Sequence, residues 1–351
     1  MKKTLLGIGL GAGALLALLG SLGLGSVALT PGQVLGALSA KLFGASADAA
    51  ATAAAALSGV DEVTIVIVWQ LRLARTLLAG VAGAALGASG AVLQGLFRNP
   101  LADPYSLGVS SGASLGAVLV IAFGSRIGFS FPGAIEMAAF AGAIASAAVV
   151  YGVAAVNRRA APTAALLLAG TAVGSFLAAI VSLIVALNDK DLHTIFFWLL
   201  GGFGGKGWPD LATAFPPAFI AISGALLLAK PLDILGAGEE AAGILGLNVS
   251  LLRALAVAAA SLGAAAAVAA GGVIGFVGLL GPHFARLLVG SLHRKLIPAS
   301  AVTGAILLML ADALSRSVAA PLELPVGIVT ALLGAPIFLR LLATSREGRG
   351  L

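Results

Sequence analysis

The sequence predicts an all-α polytopic membrane protein of about ten transmembrane helices, built as two inverted five-helix repeats. Composition gives the first reason. Of 351 residues, 60% are hydrophobic and 10% charged, whereas a soluble domain carries roughly 25% charged residues. With a mean hydropathy of +1.11, most of the surface must be solvated by lipid. The second reason is continuity: the apolar runs are long, whereas a transmembrane barrel shows alternating segments of about 10 residues. These two observations exclude a soluble enzyme, a nucleic-acid-binding domain and a disordered chain. Cysteine is absent, which removes disulfides, thiol nucleophiles and cysteine metal sites.

The elements follow in order within a single transmembrane domain, 1–351. Met1-Lys2-Lys3 precedes a nearly unbroken apolar run to residue 29. That run exceeds the 7–15-residue core of a typical signal peptide, so 1–29 reads as a retained first helix. Residues 30–76, with Pro31, Asp48, Asp61, Glu62 and an alanine-rich stretch at 49–56, read as an external loop carrying a short surface helix. The remainder, 77–342, holds nine further apolar runs: 77–97, 106–124, 134–156, 163–187, 211–229, 251–270, 273–289, 299–320 and 325–342. Pro216-Pro217 interrupts one of them, and Gly271-Gly272 barely separates two others. Residues 343–351 form a tail.

Charge sets the orientation. With the N-terminus inside, thirteen of the 20 Lys and Arg residues fall on the cytoplasmic side and seven outside, the bias expected of inward-facing loops. The net charge of +6 is therefore read as topology. Both termini are expected in the cytoplasm. A repeat can be traced by laying 89–100 over 271–282, which matches Gly90 with Gly272 and Pro100 with Pro282. Five helices per repeat force inversion, a transporter signature.

The motifs of chemistry are missing. The segment from Gly201 to Gly207 contains Lys206 but lacks the spacing and the Ser/Thr of a phosphate loop. His193, His283 and His293 lie on separate segments without carboxylates at ligand spacing. The chain is expected to be no enzyme and to bind neither metal nor cofactor.

Four polar islands remain. Arg72 and Arg75, three residues apart at the outer mouth of the second span, would share a helix face on the side that disfavours arginine. An acidic partner docking from outside would explain them. At the inner end of that span, Arg98-Asn99-Pro100-Leu101-Ala102-Asp103-Pro104 makes a turn stiffened by two prolines. The inner loop 230–249, with Glu239 and Glu240, suits a short surface helix facing a cytoplasmic protein. Asp312 and Arg316 sit at i, i+4 and can pair.

These residues carry a resemblance. The stretches LRLARTLLAGVAGAALGASGAVLQGLFRNPLADPYSLGVSSGA (71–113), LLLAG (166–170), GFVGLLGPHFARLLVG (275–290) and LADALSRSVAAPLELPVGIVTALLGAPIFLRLL (310–342) occur in the order seen in the FecCD-type permeases. These are the membrane subunits of ABC importers for iron-siderophores, haem and vitamin B12. The segment FWLLGGFGGKGW (197–208) is similar to the vitamin B12 branch. The resemblance implies a ten-helix subunit in the inner membrane of a bacterial cell, pairing with a second copy, two cytoplasmic ATPase subunits that use ATP and Mg, and an external substrate-binding protein. It implies binding-protein docking at Arg72, Arg75 and Arg316, and a cytoplasmic gate at Asn99, Leu101, Thr163 and Ala164. An ATPase coupling loop is implied at Gly238, Glu239, Glu240, Ala241 and Leu245. Ala74 and Ala164 stand where the family often has proline and serine, and Gly281 replaces a bulky aliphatic residue. The alternative class, an ion-coupled secondary transporter, needs a midplane carboxylate, for which Asp312 and Glu136 are the candidates.

Overall fold

A computed structural model describes residues 2–43, 60–156 and 162–347, which are helical with short connections and no strand. The helices are α1 (Lys2–Gly23), α2 (Pro31–Phe43), α3 (Glu62–Phe97), α4 (Val109–Phe123), α5 (Ala134–Val156), α6 (Pro162–Leu187) and α7 (Leu192–Leu200). They continue as α8 (Trp208–Leu227), α9 (Ala229–Leu235), α10 (Glu239–Ile244), α11 (Val249–Gly271), α12 (Val277–Val289), α13 (His293–Ser317) and α14 (Val326–Glu347). Six are long and apolar enough to cross a membrane: α3, α5, α6, α8, α11 and α13. Four shorter apolar helices, in α1, α4, α12 and α14, complete the ten expected runs.

Local signals place the ends. Asp61 caps α3 by accepting from the Thr64 N–H at 2.8 Å, and Asn248 caps α11 through Leu251 N–H at 3.0 Å. The α2 start is a reciprocal box: Thr30 N–H donates to Gln33 Oε1 at 2.9 Å, and Gln33 N–H to Thr30 Oγ1 at 3.3 Å. Several boundaries differ from the sequence reading: α1 stops at Gly23 instead of 29, and α14 runs on to Glu347, past the expected start of the tail at 343. Residues 62–76, expected as loop, extend α3 at its N-terminal end, with a π-helical stretch at Ile67–Leu73. Pro216 and Pro217 lie inside an unbroken α8, as prolines can where the surroundings re-satisfy the freed backbone groups. The alanine-rich stretch 49–56 lies outside the described residues.

The helices of the core are α3, α11 and α13, which bury most of their surface, while α5, α6 and α8 expose most of theirs. Apolar exteriors face lipid, so association inside must come from close packing of small residues. Gly83 and Gly87 of α3 lie directly on the Gly304 and Ser300 carbonyls of α13, leaving no space for a Cβ. The same device joins α4 to α5, where Gly112 and Gly142 face each other's backbone.

The two halves repeat this pattern. Helix α3 packs on α12 and α13 as α11 packs on α4 and α5, and α4 pairs with α5 as α12 pairs with α13. The register differs from the sequence alignment. Helices α3 and α11 end at Phe97 and Gly271, so Gly90 lies within a helix whereas Gly272 caps one. The glycine pairs Gly112–Gly142 and Gly281–Gly304 mark the repeat better.

Substituting Gly304→Val would force α3 and α13 apart. Overpacking of this kind costs about 1–3 kcal/mol, so thermal unfolding in detergent is expected at a clearly lower temperature than for the parent. Gly152, with open space around it, serves as the matched control for the same substitution.

Candidate functional site

One end of the bundle gathers the arginines. Arg72 lies in the π-helical stretch and Arg75 just beyond it, and the two take different partners. Arg72 is buried and donates to the carbonyls of Leu22, at 2.7 Å, Gly23 and Val27 at the end of α1. Arg75 Nε donates to Asp312 Oδ1 at 2.9 Å, while its Nη1 reaches both oxygens of Glu323, the shorter contact being 2.8 Å. Arg316 Nε lies 3.1 Å from Asp312 Oδ2, and its Nη2 donates to Ser21 Oγ at 2.9 Å. Three guanidiniums and two carboxylates thus interlock α1, α3, α13 and the segment before α14. The i, i+4 pair expected at Asp312 and Arg316 is present. Asp312 has no exposed surface, whereas the Glu323 side chain is 49% exposed.

Beside this cluster lies a cavity of about 310 Å³, lined among others by Arg75, Trp198, Phe203, Lys206 and Glu323. Lys206 pairs with Glu136 of α5 and, at 3.1 Å, with Asp210 of α8. Burial alone would lower the Lys206 pKa, but its hydrogen bonds and charge contacts with Glu136 and Asp210 raise it above the ordinary lysine value. The lysine therefore stays charged. Both midplane-carboxylate candidates, Asp312 and Glu136, are engaged with basic side chains.

The opposite end holds the turn after α3. Arg98 adopts φ 48°, and its N–H and that of Asn99 return to the carbonyls of Gly95 and Gln94 at 3.3 and 3.1 Å. Asn99 Oδ1 accepts from Leu101 N–H at 2.9 Å, and Asp103 Oδ1 accepts from Tyr105 N–H at 2.8 Å. Each short polar side chain folds the backbone onto itself. Burial pushes the Asp103 carboxyl up to about 6, against the opposing Tyr105 N–H bond. The buried Pro104 ring rests on Gly278 of α12. Asn99 is exposed and Leu101 half-buried.

Ala164 is exposed at the start of α6 at this same end; Thr163 belongs to the first turn of that helix, and its side chain lies outside the described residues. A groove of about 370 Å³ runs nearby, lined by Tyr105, Ser106, Ser111, Gly170, Thr171 and Gly174 among others. Also here, α10 buries Ala242 and projects Ile244 and Leu245, 87% and 69% exposed. Gly238 precedes α10 at φ 114°. Glu239 pairs with Arg253 at 3.1 Å, Glu240 is exposed, and Ala241 is half-buried.

Sequence reasoning missed pairings that join residues far apart in the chain, among them Arg75 with Asp312, His293 with Asp233, Arg286 with Gln94 and Lys206 with Glu136. The only available signal was that charges at membrane depth need partners. Among the described residues, no three His, Asp or Glu side chains come together as a metal site.

A bundle of this kind, with small-residue helix contacts, a charged cluster at one end and a stiff polar turn at the other, is that of a multi-pass permease. The chain belongs to the FecCD transport family, whose profile matches residues 13–344. It is 46% identical over 293 residues to the cobalamin import system permease protein BtuC of Halobacterium salinarum, covering 84% of this chain and 77% of that one. It is 43% identical to the vitamin B12 import system permease protein BtuC of Salmonella arizonae, over 79% and 83% of the two chains. YvrB of Bacillus subtilis, an uncharacterized ABC transporter permease protein, is also 43% identical, over 81% of each chain. Among solved structures, an inward-facing transporter assigned to the metal-chelate type of ABC transporter superposes with a TM-score of 0.80. That match has 31% identity and covers 97% of this chain and 99% of the other.

Removing the buried carboxylate tests the charged cluster. Asp312→Ala strands Arg75 and Arg316 and is expected to cost about 3–5 kcal/mol, the usual loss when one partner of a buried pair is deleted. Glu323→Gln, at the solvent edge, should cost about 0–1 kcal/mol. Thermal unfolding of the two variants side by side gives the comparison.

Proposed function

We propose that this chain is the membrane-spanning permease subunit of a binding-protein-dependent ABC importer for metal chelates, with cobalamin as the first cargo to test. The observation that carries this reading is the match along nearly the whole chain to cobalamin permeases and to a metal-chelate transporter. Iron-siderophore and haem are the other cargoes within the family.

In this reading two copies pair around a central path, two cytoplasmic ATPase subunits bind below, and a substrate-binding protein delivers the chelate from outside. The arginine end faces outward, and both termini lie in the cytoplasm of a bacterial cell, as the distribution of Lys and Arg favours. ATP and Mg are used by the partner subunits. Closure of the ATPase pair pushes α10 through Gly238, Glu239, Glu240, Ala241 and Leu245. The exposed apolar edge of α10 supports that role, since Ile244 and Leu245 cover little of this chain's own core. The helices then tilt, and the gate at Asn99, Leu101, Thr163 and Ala164 opens while the outer side closes. Ser, Thr and Gly on the groove give a weakly polar wall that passes a bulky chelate without trapping it.

Docking of the binding protein at Arg72, Arg75 and Arg316 acts through the net charge of their cluster, three cations to two anions, because all three are buried. An acidic patch above it is attracted by the remaining positive charge.

The decisive experiment is uptake into proteoliposomes holding the permease, the ATPase subunits and the binding protein. Radiolabelled cobalamin is expected to accumulate only with ATP inside the ATPase compartment. Uptake without ATPase subunits would instead identify an ion-coupled transporter.

The docking reading has its own test in Glu323→Gln, which adds one positive charge at the rim. Association with the binding protein should tighten about 1.5- to 5-fold at low salt, the range for an exposed charge, and should become more salt-sensitive. Identical salt titrations for parent and variant would remove the arginine cluster from docking.

A further inference from the structure

We propose that His293, held by Asp233, is the positioning residue through which movement of the α9–α10 segment reaches the turn at Asn99. The proposal rests on the ABC-importer reading, in which a partner ATPase pushes α10.

Helix α13 starts at His293 without a capping side chain of its own, since its N-cap residue is Leu292. The missing acceptor is supplied by another helix. Asp233 of α9 takes the His293 backbone N–H at 2.8 Å on Oδ1, and the same oxygen lies 2.7 Å from His293 Nδ1. A carboxylate at a helix N-terminus also complements its positive end. Helix α9 therefore grips α13 at its first residue by backbone and side chain together.

With Nδ1 turned to Asp233, the Nε2 edge of the ring faces the last turn of α3. It lies on Gly95, where any Cβ would overlap Nε2. Gly95 and its neighbour Gln94 are the residues whose carbonyls hold the N–H groups of Arg98 and Asn99. The ring thus bears on the backbone that shapes the turn. On the far side Gln94 is fixed to α12 by Arg286 at 2.9 Å, so the last turn of α3 is clasped between two helices.

At the other end of the linkage, α9 and α10 pack together, and only Gly236, Ala237 and Gly238 separate them in the chain. Displacement of α10 moves α9, Asp233 moves with it, and the imidazole turns that motion onto Gly95. A hydrogen-bonded pair between two helices transmits both push and pull, which apolar contact alone does not.

The test uses the complete importer, assembled with its ATPase subunits after the purified permease has been labelled with one fluorophore per copy through Leu101→Cys, which is selective at that stage because the chain has no native cysteine. In the otherwise unaltered complex, ATP binding changes the fluorophore signal at the turn. Asp233→Ala is expected to reduce that change about tenfold, the factor carried by one charge-assisted hydrogen bond, with ATP hydrolysis held within about twofold. Asp233→Asn keeps an oxygen that accepts both bonds and should retain the response, whereas Asp233→Leu, which fills the space but accepts nothing, should lose it; a mere packing role would leave Asp233→Leu responsive. His293→Ala keeps the backbone bond and loses the ring; it should abolish the response as well, and it decides the matter should Asp233→Ala fail to assemble. A full response in His293→Ala or Asp233→Ala overturns the proposal and leaves the importer reading intact. Absence of any ATP-dependent signal or ATPase assembly in the parent overturns the importer reading and the proposal with it.

Discussion

Helix α3 is surrounded by protein on nearly every side, with α8, α11, α12 and α13 all packed against it. In lipid, removing apolar area from water gives no drive for such an arrangement, because the alternative environment is equally apolar. What remains is contact distance. Dispersion between backbones grows only when side chains are out of the way, and Gly83, Gly87 and Gly90 provide that on one helix. The position of every other core helix follows from this central one. The turn at its one end and the arginines at its other are fixed relative to each other because the rod between them is rigidly clasped.

Charge placement obeys a second constraint of the same medium. An unpaired ion at membrane depth is costly, and the structure answers with shared partners. Asp312 serves two arginines, Glu323 reaches the first of them from the solvent edge, and backbone carbonyls of α1 absorb Arg72. The cluster therefore does two things at once. It ties together elements that are remote in the chain, and it leaves a positive excess just under the surface.

Much of this was legible in the sequence, for identifiable reasons. The ten apolar runs coincide with ten helices because lipid leaves helix as the natural backbone solution for long apolar segments. The Asn99 turn was visible because its prolines and its Asn and Asp act locally. The Asp312–Arg316 pair was visible because it spans one helical turn. What escaped is non-local or depends on irregular geometry. A π-helix has no clear side-chain signature, so the stretch at Ile67–Leu73 could not be foreseen. Residues 62–76 carry enough polar side chains to resemble a loop, yet Trp69 packs on Trp208 with ring centroids 5.5 Å apart, and the Trp208 indole N–H donates to the Trp69 carbonyl. The His293–Asp233 pair joins positions sixty residues apart, beyond any spacing rule.

The π-helical stretch at Ile67–Leu73 has a consequence for the outer cap. A π turn accommodates one residue more than an α turn, so the preceding segment Glu62–Val66 is swung round by about 100° relative to an uninterrupted α-helix. Leu22, Val34, Leu73 and the paired tryptophans form one apolar cluster across that junction, so the seating of α2 and of the end of α1 depends on this one supernumerary residue. Losing a single amino acid here would leave the hydropathy profile almost unchanged and the helix more regular, while the lid over the bundle would no longer meet its seat.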